Sequence, residues 1–245
     1  MIKKAIAVLS VLVMSVSMLS ACGKSDSSSS AKKLEDVEIL NFTQPVDGEK
    51  IAVITIKDMG EIKIKFFPDI APKGVENFIG LAEKKYYDEL IIHRVEKDFC
   101  IQGGDPKGNG TGGKSMWGEN FAVEPSEKLR NFTGAVAYAN SGKESGNGSQ
   151  FYIIDSKPEN ITDETFTNLA KNGMYFPENV KEQYKKVGGA PWLDDGYTVF
   201  GQVIEGLDVI EKIYNVELTA DASGNANKPA KHVVIEKVEI VDYKK

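Results

Sequence analysis

Between Ile92 and Asp105 the chain carries a guanidinium at Arg94, an aromatic ring at Phe99 and a side-chain amide at Gln102. None of these groups is a nucleophile or a general acid or base near neutrality. Arg keeps its charge at any physiological pH and presents its donors in a rigid plane. A guanidinium beside an apolar floor suits a site that binds an apolar group next to a polar amide. A second set has the same character: Asn140, Gln150, Phe151, Tyr152, Trp192 and Leu193. Scattered aromatics usually belong to a core. Their grouping with Arg94 and with amide side chains, each near a Gly-rich turn, is harder to assign to a core.

Other chemistries fail on context. Gly108-Asn109-Gly110-Thr111-Gly112-Gly113-Lys114-Ser115 fits the pattern of a phosphate-binding loop. That pattern needs a strand before it and a helix after it, so that a helix N-terminus meets phosphate. Met116-Trp117-Gly118-Glu119 follows instead and has no helical period. The stretch reads as a Gly-rich surface loop supporting the site. His93 and His232 are the only histidines, and no cluster at ligand spacing accompanies them, so no metal and no other cofactor is expected. No Gly-x-Ser-x-Gly elbow supports a serine nucleophile. The formal net charge of −6 argues against nucleic acid as a partner.

The elements that must position these residues are mostly strands. Residues 51–56 are β-branched and 61–66 alternate in polarity, which predicts a hairpin. Val75, Phe78, Ile79 and Ala82 recur at helical spacing behind Pro72, which predicts a helix over 72–85. The Ile92–Asp105 stretch reads as strand, turn, strand. Further strands are expected at 134–138, 150–154, 198–203 and 233–241, with a second helix at 206–214. Eight strands and two separated helices predict a mainly β fold, an eight-stranded antiparallel barrel closed on itself and capped by the helices.

Taken in order, these motifs resemble the cyclophilin family of peptidyl-prolyl isomerases. The resemblance rests on His93-Arg94, on Phe99 to Asp105, on Asn109 to Ser115 with Gly118-Glu119 and Phe121, on Ala139-Asn140, on Asn147 to Phe151, and on Trp192-Leu193-Asp194 with Val199-Phe200-Gly201. It covers about residues 48–243. It implies a barrel with two capping helices, no cofactor, and proline-containing peptides as substrates. Arg94 is implied to be the catalytic arginine, with Phe99, Gln102 and Asn140 beside it. Cys100, Ala139, Gln150, Tyr152, Trp192, Leu193 and Tyr197 are implied to hold the peptide, and Trp192 also to meet cyclosporin. Three residues depart from the family's habit: Tyr197 replaces a frequent His, Cys100 a Met and Tyr152 a Phe. A non-catalytic peptide-binding or chaperone module on the same scaffold is the alternative reading, and Arg94 favours the enzyme.

A fourth departure is longer. Between Ile154 and Trp192 lies an insertion, about 155–191, where compact members have a handful of residues. Pro177 to Lys186 reads as a short helix ended by Gly188-Gly189. Its two ends adjoin candidate pocket residues, which suggests a role in substrate access; a packed surface decoration is the alternative reading.

The N-terminal residues read as an address. Lys3 and Lys4 precede an uncharged, largely apolar run from Ala5 to Leu19, short for a membrane span. Leu19-Ser20-Ala21-Cys22 resembles a bacterial lipobox, with Cys22 as the lipidated first residue of the mature chain. Two or more acyl chains suffice for a stable membrane anchor. The expected organisation is a signal peptide at 1–21, a lipid-anchored flexible tether at 22–47, Ser-rich over 23–33 and more apolar over 34–42 where a strand could form, and the isomerase domain at 48–245. The expected location is the outer face of the cell membrane, the expected clients are unfolded exported proteins, and a monomer is expected to suffice. Cys100 is then left without a disulfide partner and reads as a small buried residue.

Overall fold

The computed structural model describes residues 34–221 and 223–245. The expected signal peptide, Cys22 and the Ser-rich part of the tether lie outside the described residues. The first elements follow the sequence pattern. Strands β1 (Lys50–Ile56) and β2 (Gly60–Phe66) form an antiparallel hairpin. Helix α1 (Pro72–Glu83) starts at a proline, whose missing N–H costs nothing at a helix start. It buries Val75, Phe78, Leu81 and Ala82. The next strands are β3 (Ile91–Ile92), β4 (Arg94–Glu96), β5 (Cys100–Gly103), β6 (Ala135–Tyr138) and β7 (Phe151–Ile154). Helices α2 (Asp163–Lys171) and α3 (Glu178–Val187) come before β8 (Val199–Glu205) and α4 (Leu207–Tyr214). A small hairpin of β9 (Leu218–Ala220) and β10 (Ala226–Pro229) leads to β11 (Val233–Asp242).

The expected closed eight-stranded barrel needs correction. The main sheet has nine strands in the order β3-β11-β1-β2-β8-β6-β7-β5-β4, and its two edge strands are not hydrogen-bonded to each other. The physical reason lies at His93. The stretch read as one strand is broken there: β3 pairs with β11, while β4 pairs with β5. Both sheet edges are therefore pieces of one stretch of chain, and that split raises the count from eight to nine.

Side chains alternate across a sheet, and the register makes that alternation continuous over five strands. Arg94, Gln102, Tyr152, Ala137 and Val199 stand opposite one another in a row across β4, β5, β7, β6 and β8. Val95, Ile101, Ile153 and Val136 form the adjacent row and enter the main core with Phe78, Tyr87 and Phe200. Tyr152, Ala137 and Val199 enter a second, smaller cluster on the opposite face, with Cys100, Ile154 and Phe67.

The insertion builds its own core. Ile161, Phe166, Phe176, Val180 and Tyr184 pack on Phe132, whose ring lies 4.2 Å from that of Tyr184. Helix α3 matches the expected helix, whereas α2 was not expected. The segment 34–47 also differs from the expectation of a flexible tether. Val37 and Asn179 of α3 exchange two hydrogen bonds, of 3.4 and 2.7 Å. Buried Asn41 bonds both the N–H and the carbonyl of Arg130, at 3.0 and 2.9 Å, and reaches Gln202 at 3.0 Å. No strand forms over 34–42. Among the described residues no helix is long and apolar enough to cross a membrane.

The two ends of the insertion meet at Gly188. It has φ +78°, and a Cβ placed on it would lie 1.8 Å from the carbonyl oxygen of Ser156. Only glycine fits both the left-handed backbone and that contact. Gly188→Ala is expected to cost at least about 2 kcal/mol, read as a lowered urea midpoint at unchanged slope.

Candidate active site on the outer face of the sheet

The site begins with a tight hairpin. Glu96 pairs with Cys100, so β4 and β5 are joined by Lys97, Asp98 and Phe99. Asp98 adopts φ +57°, a conformation that Asp tolerates better than most residues. This turn brings Phe99 under the guanidinium of Arg94, 5.6 Å from its ring centre. Arg94 Nη1 donates to Gln102 Oε1 at 3.2 Å and to Cys100 Sγ at 3.5 Å. Its Nη2 pairs with Glu96. Strand alternation puts Arg94 and Glu96 on one face, two residues apart. Both side chains are partly solvated, so the pair is weak and the guanidinium is free to exchange partners.

A chain of amides runs from Gln102. Its Nε2 donates to Gln150 Oε1 at 2.9 Å. Gln150 Nε2 donates to the carbonyls of Gly110 and Gly112, at 3.0 and 2.8 Å. The Gly-rich loop is thus a scaffold for the amides and not a phosphate cradle. It winds around Asp105, whose carboxylate accepts the N–H groups of Lys107, Asn109 and Gly110 at 2.7–3.0 Å. Burial works to raise the Asp105 carboxyl, but these backbone N–H groups outweigh it and hold it below its usual range.

Two recesses of about 220 Å³ each flank the amide chain. One is lined by Gly112, Ala139, Asn140, Ser149 and Gln150. The other is lined by His93, Arg94, Gln102, Gly110 and Asp221. Asn140 faces the first but is occupied within its own loop. Its Nδ2 donates to Asn147 Oδ1 at 3.2 Å, and its Oδ1 accepts the Gly142 N–H at 2.9 Å. Ala139 bonds the Gln150 carbonyl through its backbone N–H at 2.9 Å. Burial lowers the affinity of His93 for a proton, with Asp105 pulling the other way and Arg94 adding to the lowering.

Beside Arg94 an apolar cluster reaches the surface. Cys100 and Tyr152 are buried in it, and partly exposed Phe99, Ala139, Leu193 and Tyr197 pack against it. The Tyr152 and Tyr197 rings meet edge to face at 5.7 Å. Trp192 is 44% exposed and lies against Phe99, with centroids 5.9 Å apart. The buried hydroxyl of Tyr152 donates to Asn131 Oδ1 at 2.8 Å. Of the residues named from sequence, Phe99, Cys100, Ala139, Tyr152, Leu193 and Tyr197 share the apolar cluster, with Trp192 against Phe99. Arg94, Gln102 and Gln150 form the amide chain, and Asn140 borders a flanking recess. Phe151 does not join them: strand alternation turns it to the other face, into the main core against Phe78 and Tyr87. Glu96 and Asn131 were not foreseen. Glu96 was legible from its i+2 spacing to Arg94, whereas Asn131 had no local signal.

An Arg beside an apolar cluster whose one thiol, Cys100, is kept protonated by burial fits a reaction that rotates a bond without breaking one. Comparison with known proteins points the same way. The family profile described as "Cyclophilin type peptidyl-prolyl cis-trans isomerase/CLD" matches residues 51–240. Relatives named, provisionally, as peptidyl-prolyl cis-trans isomerases occur in Staphylococcus saprophyticus and Staphylococcus epidermidis. The first is 40% identical over 197 residues, covering 80% of this chain and 95% of the relative. The second is 42% identical over 201 residues, covering 81% and 96%. The chain belongs to the cyclophilin-type peptidyl-prolyl cis-trans isomerase family. Solved structures agree with this. A Cryptosporidium parvum cyclophilin-type isomerase superposes on this cyclophilin with a TM-score of 0.61 at 27% identity, covering 80% of this chain and 99% of that one. The crystal structure of the same isomerase in the presence of the dipeptide Ala-Pro matches with a TM-score of 0.59.

Two outcomes follow for this cyclophilin. Burial pushes the Cys100 thiol up to about 12, against the pull of Arg94. At about pH 8 roughly one thiol in ten thousand is then ionised. Peptide mapping after iodoacetamide treatment is expected to find Cys100 unmodified in the folded chain and alkylated in urea. Asp105 has its folded value below its unfolded one. It adds stability above the ordinary carboxylate range, and that stability is lost as pH falls through the range to the folded value. Asp105→Asn is expected to lose about 1–2 kcal/mol at neutral pH and much less at about pH 3, measured by urea denaturation at both.

Proposed function

We propose that this chain catalyses cis–trans exchange of X-Pro peptide bonds in exported or surface proteins, from a lipid anchor on the outer face of the cell membrane. The observation that carries the catalytic part is the Arg94 guanidinium beside Cys100 and Gln102 and over Phe99, at the edge of the apolar cluster. In this reading the cluster is an apolar recess for the proline ring, with Cys100 and Tyr152 as its floor and Leu193 and Tyr197 in its wall. Amide resonance sets the rotational barrier at about 18–20 kcal/mol. Twisting the bond breaks that resonance, and the proline nitrogen becomes pyramidal with a lone pair that accepts hydrogen bonds. A guanidinium directed at that nitrogen binds the twisted state more tightly than either planar state, which lowers the barrier.

The remaining residues have supporting roles in this reading. Phe99, Cys100, Tyr152, Leu193 and Tyr197 clamp the proline ring while the preceding carbonyl swings. Gln102 orients Arg94 and the turning carbonyl, and Gln150 holds Gln102 in place. Asn140 and Ala139 border the path of the residues preceding proline, with the Asn140 side chain fixing the loop and the backbone of the pair facing the peptide. The relative crystallised with Ala-Pro supports a proline-containing ligand. Trp192, exposed at the rim, extends the reading to cyclosporin. No cofactor enters the reaction.

The address rests on sequence alone: Lys3 and Lys4, the apolar run to Leu19 and the lipobox-like Leu19-Ser20-Ala21-Cys22. Cys22 is the proposed lipidation site behind a signal peptide at 1–21. The domain acts as a monomer on a short Ser-rich tether.

The test follows exchange of a proline tetrapeptide from cis to trans. The wild-type chain is expected to accelerate it, and Arg94→Ala is expected to lose on the order of 10²-fold in kcat/KM with unchanged circular dichroism. A folded wild-type chain with no acceleration would leave the peptide-binding reading in its place.

A further inference from the structure

We propose that Tyr184, on helix α3 of the insertion, is a positioning residue for the isomerase site. Its hydroxyl holds Asp194, and Asp194 holds both the wall and the floor of the apolar recess. The proposal rests on the reading of that recess as the proline pocket.

Asp194 follows Trp192 and Leu193 directly, and Tyr197 is three residues further on. Its carboxylate is fully enclosed. Oδ1 accepts the backbone N–H of Asn131 and the side-chain amide of Asn131, both at 3.0 Å. Oδ2 accepts one N–H of Arg130 at 3.2 Å, in an ion pair whose side chains are 4% and 2% exposed. Tyr184 Oη lies 2.9 Å from each carboxylate oxygen and donates between them. The same Asn131 side chain accepts the Tyr152 hydroxyl through its Oδ1. A continuous path of buried hydrogen bonds therefore runs from α3 to the floor of the recess, through Tyr184, Asp194, Asn131 and Tyr152. The wall is reached covalently, through the chain from Asp194 back to Leu193 and on to Tyr197.

Burial of an ion pair requires that its spare acceptors be filled. Arg130 reaches Asp194 through a single N–H, and its Nε donates to the Glu127 carbonyl at 2.9 Å. The insertion supplies what is missing: a hydroxyl from Tyr184, and the Phe176 ring 5.6 Å from the Arg130 guanidinium. A surface decoration would meet the domain only through apolar contacts such as those of Phe132. This one reaches past them to a carboxylate next to the pocket wall. Tyr184 is also braced at the exit of the insertion. A Cβ on Gly189 would lie 2.7 Å from its ring and 2.5 Å from the Asn131 carbonyl.

The experiment uses the full chain carrying Trp117→Phe, so that Trp192 is the only indole. Tyr184→Phe keeps the ring against Phe132 and removes only the hydroxyl. Lys185→Gln breaks the neighbouring ion pair with Asp163 inside the insertion without touching Asp194. Tyr184→Phe is expected to lower kcat/KM about tenfold, mostly through KM. It should also shift Trp192 emission to the red and increase its quenching by iodide, with unchanged circular dichroism. Lys185→Gln is expected to change neither. The proposal is overturned if Tyr184→Phe leaves kinetics and emission at the reference values, or if Lys185→Gln reproduces both changes. If the reference chain itself does not accelerate exchange, the isomerase reading fails separately. The Trp192 emission then decides on its own, and an unshifted spectrum in Tyr184→Phe overturns the positioning role.

Discussion

The period-two alternation of a single ladder governs the rest of the molecule. Across β4, β5, β7, β6 and β8, each strand gives one set of residues to the main core and the other to the opposite face. Arg94 and Val95 are adjacent in sequence but belong to different sides. A slip of one residue would carry the guanidinium into the apolar core, where an unpaired charge is prohibitive. The register is therefore held by the large apolar cluster behind it. The site on the far face receives its geometry from packing that has no part in its chemistry.

That far face must be finished by something other than the sheet. Its cover consists of the 190–197 loop, the 129–133 segment and Phe99, and the loop and segment are joined by polar contacts. Asp194 is the common point, linked to Arg130, Asn131 and Tyr184 within 3.2 Å. Burial raises its carboxyl, while Arg130 and the donors around it oppose the rise. Such a centre is costly unless fully satisfied, and when satisfied it specifies one arrangement of its neighbours. The insertion, the strap of residues 34–47 and the pocket wall all converge on this small volume. This explains why an excursion from the end of β7 is packed beside the recess and not spread over the surface.

Much of the site was legible in sequence. Arg94, Phe99 and Gln102 were marked by residue type within one short stretch, and Gln150 with Tyr152 by their place after a Gly-rich turn. The hairpin of β1 and β2 and helix α1 followed from periodicity. The less legible parts have specific reasons. Helix α2 buries a single residue, Phe166, so its apolar period is faint, although Thr162 and Thr165 form a capping box at its start. The strap at 34–47 has no regular structure and is held by Asn41 and Asn179, whose partners lie 89 and 142 residues away. The break at His93 depends on which neighbour each half of that stretch pairs with.

By itself the sequence determined the chemistry that was possible. It offered a permanent cation, amides and aromatic rings, and no nucleophile, acid–base pair or metal cluster among them. It also determined which faces of the strands had to be buried, because alternation is a local property of the chain. Only the tertiary structure decided that Glu96 shares the guanidinium, that the Gly-rich loop is wound around Asp105, and that an inserted helix contributes a hydroxyl to a buried carboxylate beside the pocket. These are contacts between side chains distant in sequence or turned by loop geometry. No local propensity encodes such contacts. They are selected by the requirement that every buried polar group find a partner once the apolar faces have closed.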